Sequence, residues 1–118
     1  VAVQRWADGR RYVGGMDIEL QYFDGCPNWS VAADRLREAL DATEATASVR
    51  YVQVETDEEA ERLGFHGSPT ILIEGRDPFE APSLATGLAC RLYRTPAGLA
   101  GAPTKEQLIK VLDERRQP

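Results

Sequence analysis

Residues 16–40 have the sequence MDIELQYFDGCPNWSVAADRLREAL, in which one hydrophobic period gives way to another. Every second side chain over 18–22 is apolar, which is the period of a half-buried strand. The turn pair Asp24-Gly25 ends this pattern. After Pro27, which suits a first helical turn, apolar residues recur at three- and four-residue steps, as in an amphipathic helix. The stretch therefore predicts a strand, a tight turn and a helix, with Cys26 at the junction.

The rest of the chain predicts three more strands and two more helices. The predicted pieces are a strand over 49–54, a helix opened by the capping box at 56–59, a strand over 71–73 with a turn at 74–77, a strand over 89–94, and a helix opened by the capping box at 104–107. The order βαβαββα predicts one α/β domain over residues 16–118. Residues 1–15 are expected to form a flexible leader or an added extension. The long connection over 75–89 has the length of a functional lid or a floppy insertion.

Composition and charge exclude several classes of function. The chain has 118 residues, 42% hydrophobic and 28% charged, as expected for one globular domain. Its net charge of −5 argues against nucleic acid or an anionic membrane as the partner. No apolar run is long enough to cross a bilayer, and no secretory signal pattern is present. We therefore expect a cytoplasmic protein.

The chain has two cysteines and one histidine. Their spacing lacks the close pairs typical of zinc sites, so we predict no metal and no cofactor. A thiol at a helix N-terminus is stabilised as the thiolate, which makes Cys26 the candidate nucleophile. Cys90 lies in a strand-like alternation and is expected to pack as a small hydrophobe. A symmetric hairpin would place it near Glu74, away from Cys26. His66 is either a loop histidine or a base.

A second motif gives the chain a family resemblance. Residues 67–70, GSPT, lie between a short helix and an apolar strand, about 43 positions after Cys26. The pairing of a strand–Cys–helix turn with a later Pro-Thr strand start resembles the thioredoxin-like superfamily, in its glutaredoxin-size form. The resemblance implies a three-layer α/β sandwich with a mixed four-stranded sheet. It also implies that Pro69 is cis and lies against Cys26, and that the backbone of Ser68 pairs with substrate.

The motif at 26–29, CPNW, departs from the family's Cys-X-X-Cys, because Trp29 stands where the resolving cysteine would be. Three options follow. Cys26 works alone with a small thiol, or Cys90 serves as a distant resolving thiol, or the site has lost redox activity and only binds. Asn28 and Trp29 are candidate substrate contacts. The expected function is thiol–disulfide exchange with a small thiol or a protein disulfide, and the alternative is a non-catalytic binding module.

A narrower resemblance links the chain to short actinobacterial proteins, some of them described as alkylmercury-lyase-like. It is carried by the sequences YFDGCPNW at 22–29, GSPT at 67–70, GRDPF at 75–79 and CRLY at 90–93. The resemblance implies two thiolates and a carboxylate acting on a carbon–mercury bond. Cys26 and Cys90, with Asp24 or Asp77, have the required side chains. Organomercurial or soft-metal handling is thus a minor alternative.

Overall fold

In the computed structural model, which describes residues 15–79 and 86–116, the chain forms three helices and five strands. Their order is β1 (Met16–Tyr22), α1 (Asn28–Thr43), β2 (Ala47–Gln53), α2 (Asp57–Leu63), β3 (Thr70–Ile73), β4 (Tyr93–Thr95), β5 (Gly98–Ala100) and α3 (Lys105–Arg116). The predicted leader lies outside the described residues except for Gly15, and so does the 80–85 part of the predicted long connection. No helix among the described residues is long and apolar enough to cross a membrane.

Strand β1 is the middle strand of a three-stranded mixed sheet ordered β2-β1-β3. It pairs in parallel with β2 and antiparallel with β3, so that Ile18 lies between Val49 and Ile73. Parallel neighbours require a crossover connection, which α1 supplies between β1 and β2. Because β1 and β3 run in opposite directions, the last residues of β1 and the first residues of β3 lie at the same end of the sheet.

The main core lies where α1 and α3 pack on the sheet. Its buried members are Met16, Ile18, Leu20, Ala32, Ala33, Leu36, Ala39, Ile71, Ile73, Ala102, Leu108 and Leu112. Alternation along β1 and helical spacing along α1 place these side chains on one face of each element. A second, smaller cluster of Val54, Ala60 and Phe65 lies around α2. Packing of these two clusters fixes the positions of the loops between β1 and α1 and between α2 and β3.

The predicted capping box at 104–107 is confirmed, and at 56–59 the hydrogen bond to the N-cap side chain is confirmed. The hydroxyl of Thr56 accepts a hydrogen bond from the Glu59 N–H at 3.0 Å. Thr104 and Gln107 bond reciprocally, each side chain accepting from the other's backbone N–H at 3.0 and 2.9 Å. These bonds satisfy N–H groups that the first helical turn leaves free. The predicted turn after β3 is also present, with Glu74 and Gly75 both at positive φ.

The predicted fourth strand over 89–94 is wrong in its extent and its pairing. Among the described residues, the only extended strand there is β4, which pairs with β5 in a separate two-stranded sheet. The segment before β4 does not extend the three-stranded sheet. The backbone of Cys90 instead forms an isolated bridge with Ser68, which precedes β3. The β4–β5 hairpin was missed, and its signal was the turn sequence Pro96-Ala97-Gly98, with Gly98 at φ 109°.

The buried face of α1 can be tested by removing one side chain. Leu36→Ala should lower the free energy of unfolding by about 2–5 kcal/mol, because Leu36 is 1% exposed and its loss leaves a cavity. Leu99→Ala, at a position 67% exposed, is the control and should change stability by no more than about 0.5 kcal/mol. Urea denaturation followed by circular dichroism measures both. Equal effects of the two substitutions would contradict this account of the core.

Candidate functional site

Cys26 lies at the predicted junction between β1 and α1. Its N–H donates to the Phe23 carbonyl at 3.2 Å, which closes the turn after β1. Pro27 caps α1 without a side-chain hydrogen bond, so the first N–H groups of the helix have no side-chain cap. Cys26 itself is fully buried, at 0% exposure. This burial differs from the exposed nucleophile that thiol attack on an external substrate needs.

The segment before β3 lies directly against Cys26. The Ser68–Pro69 peptide bond is cis, as the resemblance implied. The thiol of Cys26 donates to the Ser68 carbonyl at 3.5 Å. Ser68 is buried, and both of its backbone groups are used by the chain itself. Its N–H donates to the Ala89 carbonyl at 2.8 Å, and its carbonyl accepts from the Arg91 N–H at 2.9 Å.

Cys90 lies between those two hydrogen bonds, and its Sγ is 2.7 Å from the Sγ of Cys26. Both cysteines are free thiols, Cys26 buried and Cys90 exposed. The expectation that Cys90 packs as a small buried hydrophobe is wrong, because its side chain is exposed. The connection between β3 and β4 is not a symmetric hairpin, because it returns past Ser68. The structure thus forms a dithiol from residues 64 positions apart, with one sulfur inside and one outside.

The contact between the two thiols changes the acidity of the exposed one. The pKa of Cys90 is raised above its ordinary value, first because its S–H donates to Cys26. Partial burial and the charge that Cys26 carries when ionised act in the same direction. Cys90 therefore keeps its proton to a higher pH than a free cysteine does.

A buried ion pair anchors the residue that follows Cys90. The guanidinium of Arg91 donates to Asp77 Oδ2 at 2.6 Å, to the Phe79 carbonyl at 2.7 Å and to the Thr70 hydroxyl at 3.4 Å. The guanidinium also lies 4.4 Å from the centre of the Tyr93 ring. The Arg91 and Asp77 side chains are only 1% and 9% exposed. Such charges are stable in the interior only when paired and hydrogen-bonded.

Tyr93 completes this anchor from β4. Its hydroxyl donates to the Pro69 carbonyl, and its ring packs edge-on against Phe79. Burial raises the pKa of the Tyr93 hydroxyl, so the ring stays neutral and keeps its donor. Arg91 and Tyr93 were not predicted as site residues, although both lie in the sequence CRLY at 90–93. The one local signal for Arg91 is its position among apolar residues and next to a cysteine.

Two of the predicted substrate contacts have structural roles. The Trp29 ring stacks on Tyr22, with centroids 4.3 Å apart, and packs against the main core. The half-buried side chain of Asn28 lies so close to Gly101 that a Cβ added there would meet it at 2.3 Å. Gly101 therefore permits the close approach of the chain before α3 to the start of α1.

His66 and Asp24 are the remaining polar candidates from the sequence. His66 is half-buried, and its Nδ1 has no hydrogen-bond partner. Its side chain lines a cavity of about 230 Å³ together with Gln21, Thr70, Arg76 and Asp77. Among residues 15–79 and 86–116, no three or more His, Cys, Asp or Glu side chains are grouped so as to hold an ion. Asp24 is exposed in the turn before Cys26.

The chain was also compared with known proteins. Neither the protein-family models nor the curated protein sequences give a significant match.

The raised pKa of Cys90 gives a test of the thiol contact. Cys26→Ala should move the pH profile for alkylation of Cys90 to lower pH, because the hydrogen bond to Cys26 is the main cause of the shift. Only the thiolate reacts with iodoacetamide, so the rate followed by mass spectrometry reports this pKa.

Cys26→Ser, which keeps a polar acceptor at this position, serves as the comparison and should move the profile less than Cys26→Ala. In the parent protein we expect Cys90 to be alkylated before the buried Cys26. A Cys90 profile identical in all three proteins would rule out the contact.

Proposed function

We propose that this chain is a thioredoxin-like thiol–disulfide oxidoreductase whose active pair is Cys26 and Cys90. The observation that carries the proposal is the 2.7 Å separation of their sulfurs. Two further features support the thioredoxin-like assignment. Cys26 lies between a strand and a helix, and the Ser68–Pro69 bond against it is cis. The described sheet has three strands, so the assignment rests on these two features and not on a four-stranded sheet.

In this proposal Cys90 is the second thiol of the pair, since Trp29 stands where the family has its resolving cysteine. Cys90 reacts with the substrate first and Cys26 is the resolving thiol, which is the reverse of the order expected from the sequence. An external molecule meets Cys90 first, because Cys90 is exposed and Cys26 is fully buried. Cys26 is then the inner sulfur of the pair. Its reaction partner is then Cys90 rather than the substrate directly.

Reduction of a substrate disulfide proceeds in two exchanges. Cys90 loses its proton, and its thiolate attacks one substrate sulfur, so that the first substrate thiolate leaves and a mixed disulfide forms. Cys26 then loses its proton, and its thiolate attacks the Sγ of Cys90 and releases the second substrate thiolate. The two departing thiolates take up the two protons that Cys90 and Cys26 gave up. Two electrons pass to the substrate, and the protein is left with a Cys26–Cys90 disulfide.

Regeneration follows the reverse path with a small thiol as the reductant. Its thiolate attacks the exposed Sγ of Cys90, and Cys26 leaves as a thiolate beside the uncapped N-terminus of α1. A second small thiol then frees Cys90 and carries away the oxidised product. No cofactor enters this cycle.

The first test follows the dithiol through oxidation. Oxidised glutathione should convert the parent protein to an internal disulfide, detected by intact mass as the loss of two hydrogens. Cys26→Ser should stop at a glutathione adduct on Cys90, because the inner thiol that resolves it is missing. Cys90→Ser should stay largely unmodified, because its remaining thiol is buried. A stable adduct on the parent protein, with no internal disulfide, would contradict the proposal.

Oxidation should also stabilise the chain. A bond between residues 64 positions apart is expected to add about 4 kcal/mol by restricting the unfolded chain. Guanidinium denaturation of the oxidised and reduced protein measures the difference. Cys90→Ser is the control, since the same redox conditions should leave its stability unchanged. Equal stability of the two parent forms would show that the bond does not form or strains the fold.

A second candidate is the binding of a thiophilic metal ion, which the facing sulfurs favour because thiolates prefer soft metals. Cleavage of a carbon–mercury bond would also need an acid, and Asp77 is already paired with Arg91. A binding module with an open groove at Pro69 has less support, since the backbone of Ser68 is paired within the chain.

A further inference from the structure

The segment that carries Cys90 is held at both ends. Before it, the Gly87 N–H donates to the Phe65 carbonyl, and Leu88 packs against the small cluster around α2. After it, Arg91 is fixed by its backbone bond to Ser68 and by its buried side chain. The Arg91 side chain extends into the protein, while the neighbouring Cys90 sulfur meets Cys26.

The Arg91 side chain does more than fill space. A buried ion pair is costly to desolvate, and an apolar pair of similar size often stabilises a fold as well or better. The guanidinium, however, is a rigid fork that sets direction, and here it bonds to Asp77 and to the Phe79 carbonyl. These bonds fix the backbone one residue from Cys90.

We propose that Arg91, held by Asp77, is a positioning residue that keeps Cys90 against Cys26 and so sets the equilibrium between the dithiol and the disulfide. This inference rests on the proposed function and adds a determinant to it. Two thiols held in contact have a high effective concentration, and a looser segment lowers it. Loosening therefore disfavours the reaction in which the dithiol and one molecule of small-thiol disulfide give the internal disulfide and two molecules of reduced small thiol.

The variant that tests this is Asp77→Asn, which keeps the shape of the side chain and removes its charge. We expect the equilibrium constant for forming the Cys26–Cys90 disulfide, measured in glutathione redox buffers at pH 7, to fall about tenfold as the effective concentration drops. Quenched samples separated by mass give the oxidised fraction. This equilibrium constant separates positioning from general stability. A substitution that destabilises the oxidised and reduced folded forms equally leaves the constant for disulfide formation unchanged.

Asp17→Asn is the matched control. Asp17 also pairs with an arginine, Arg50, at 3.3 Å, but it is exposed and lies near the start of β1, whereas Cys26 follows the end of that strand. We expect its equilibrium constant to equal that of the parent protein. If Asp77→Asn does not fold, the double variant Asp77→Leu with Arg91→Met removes both charges and should show the same tenfold fall, which reflects effective concentration.

Three results would overturn the inference, and only the third also contradicts the proposed function. An unchanged constant in a folded Asp77→Asn variant, even one with lower thermal stability, makes the ion pair purely structural and leaves the proposed function intact. If the equilibrium constant falls by the same factor in Asp17→Asn, the effect is not specific to the Asp77–Arg91 pair, and the proposed function is again left intact. A parent protein that forms no internal disulfide in any buffer contradicts the proposed function, and this inference with it.

Discussion

The two backbone hydrogen bonds of Ser68 are the constraint on which the site depends. A buried peptide group must be paired, and Ser68 is buried beside Cys26 at the start of β3. Ala89 and Arg91 supply the partners, which places Cys90 between them. The bridge between Ser68 and Cys90 fixes the register of the two segments, and this register places the Cys90 sulfur against the Cys26 sulfur. The dithiol is thus a product of backbone pairing as much as of the two cysteines.

The buried sulfur of Cys26 and the exposed sulfur of Cys90 are positioned by different kinds of contact. The β1–α1 turn fixes the inner sulfur, since Cys26 belongs to a turn whose flanking elements are both built into the main core. The outer sulfur belongs to a segment held by polar contacts, from Arg91 to Asp77 and from Tyr93 to Pro69. One sulfur is therefore positioned by apolar packing and the other by a charge pair. This difference allows the two to be altered separately.

Local sequence patterns predicted the parts of the fold that are local. The alternation in β1, the spacing in α1 and the capping boxes at Thr56 and Thr104 each act within a few residues, so the sequence shows them directly. The placement of Cys26 followed from the same patterns. The position of Cys90 did not, because it depends on a bridge to Ser68 and on an ion pair to Asp77, and periodicity carries no signal for either. The separate β4–β5 hairpin was missed because its strands have only three residues each.

The place of β1 in the chain has a consequence for how the oxidised molecule would come apart. A Cys26–Cys90 bond encloses α1, β2, α2 and β3 in one covalent ring, while β1 precedes it and α3 follows it. Helix α3 would then be attached to that ring only by its chain connection and by packing, whereas β1 would also be held by its ladders to β2 and β3. Hydrogen exchange distinguishes such partial openings from global unfolding. Slow exchange throughout the ring, with faster exchange in α3, would mark this helix as the first part of the oxidised protein to separate.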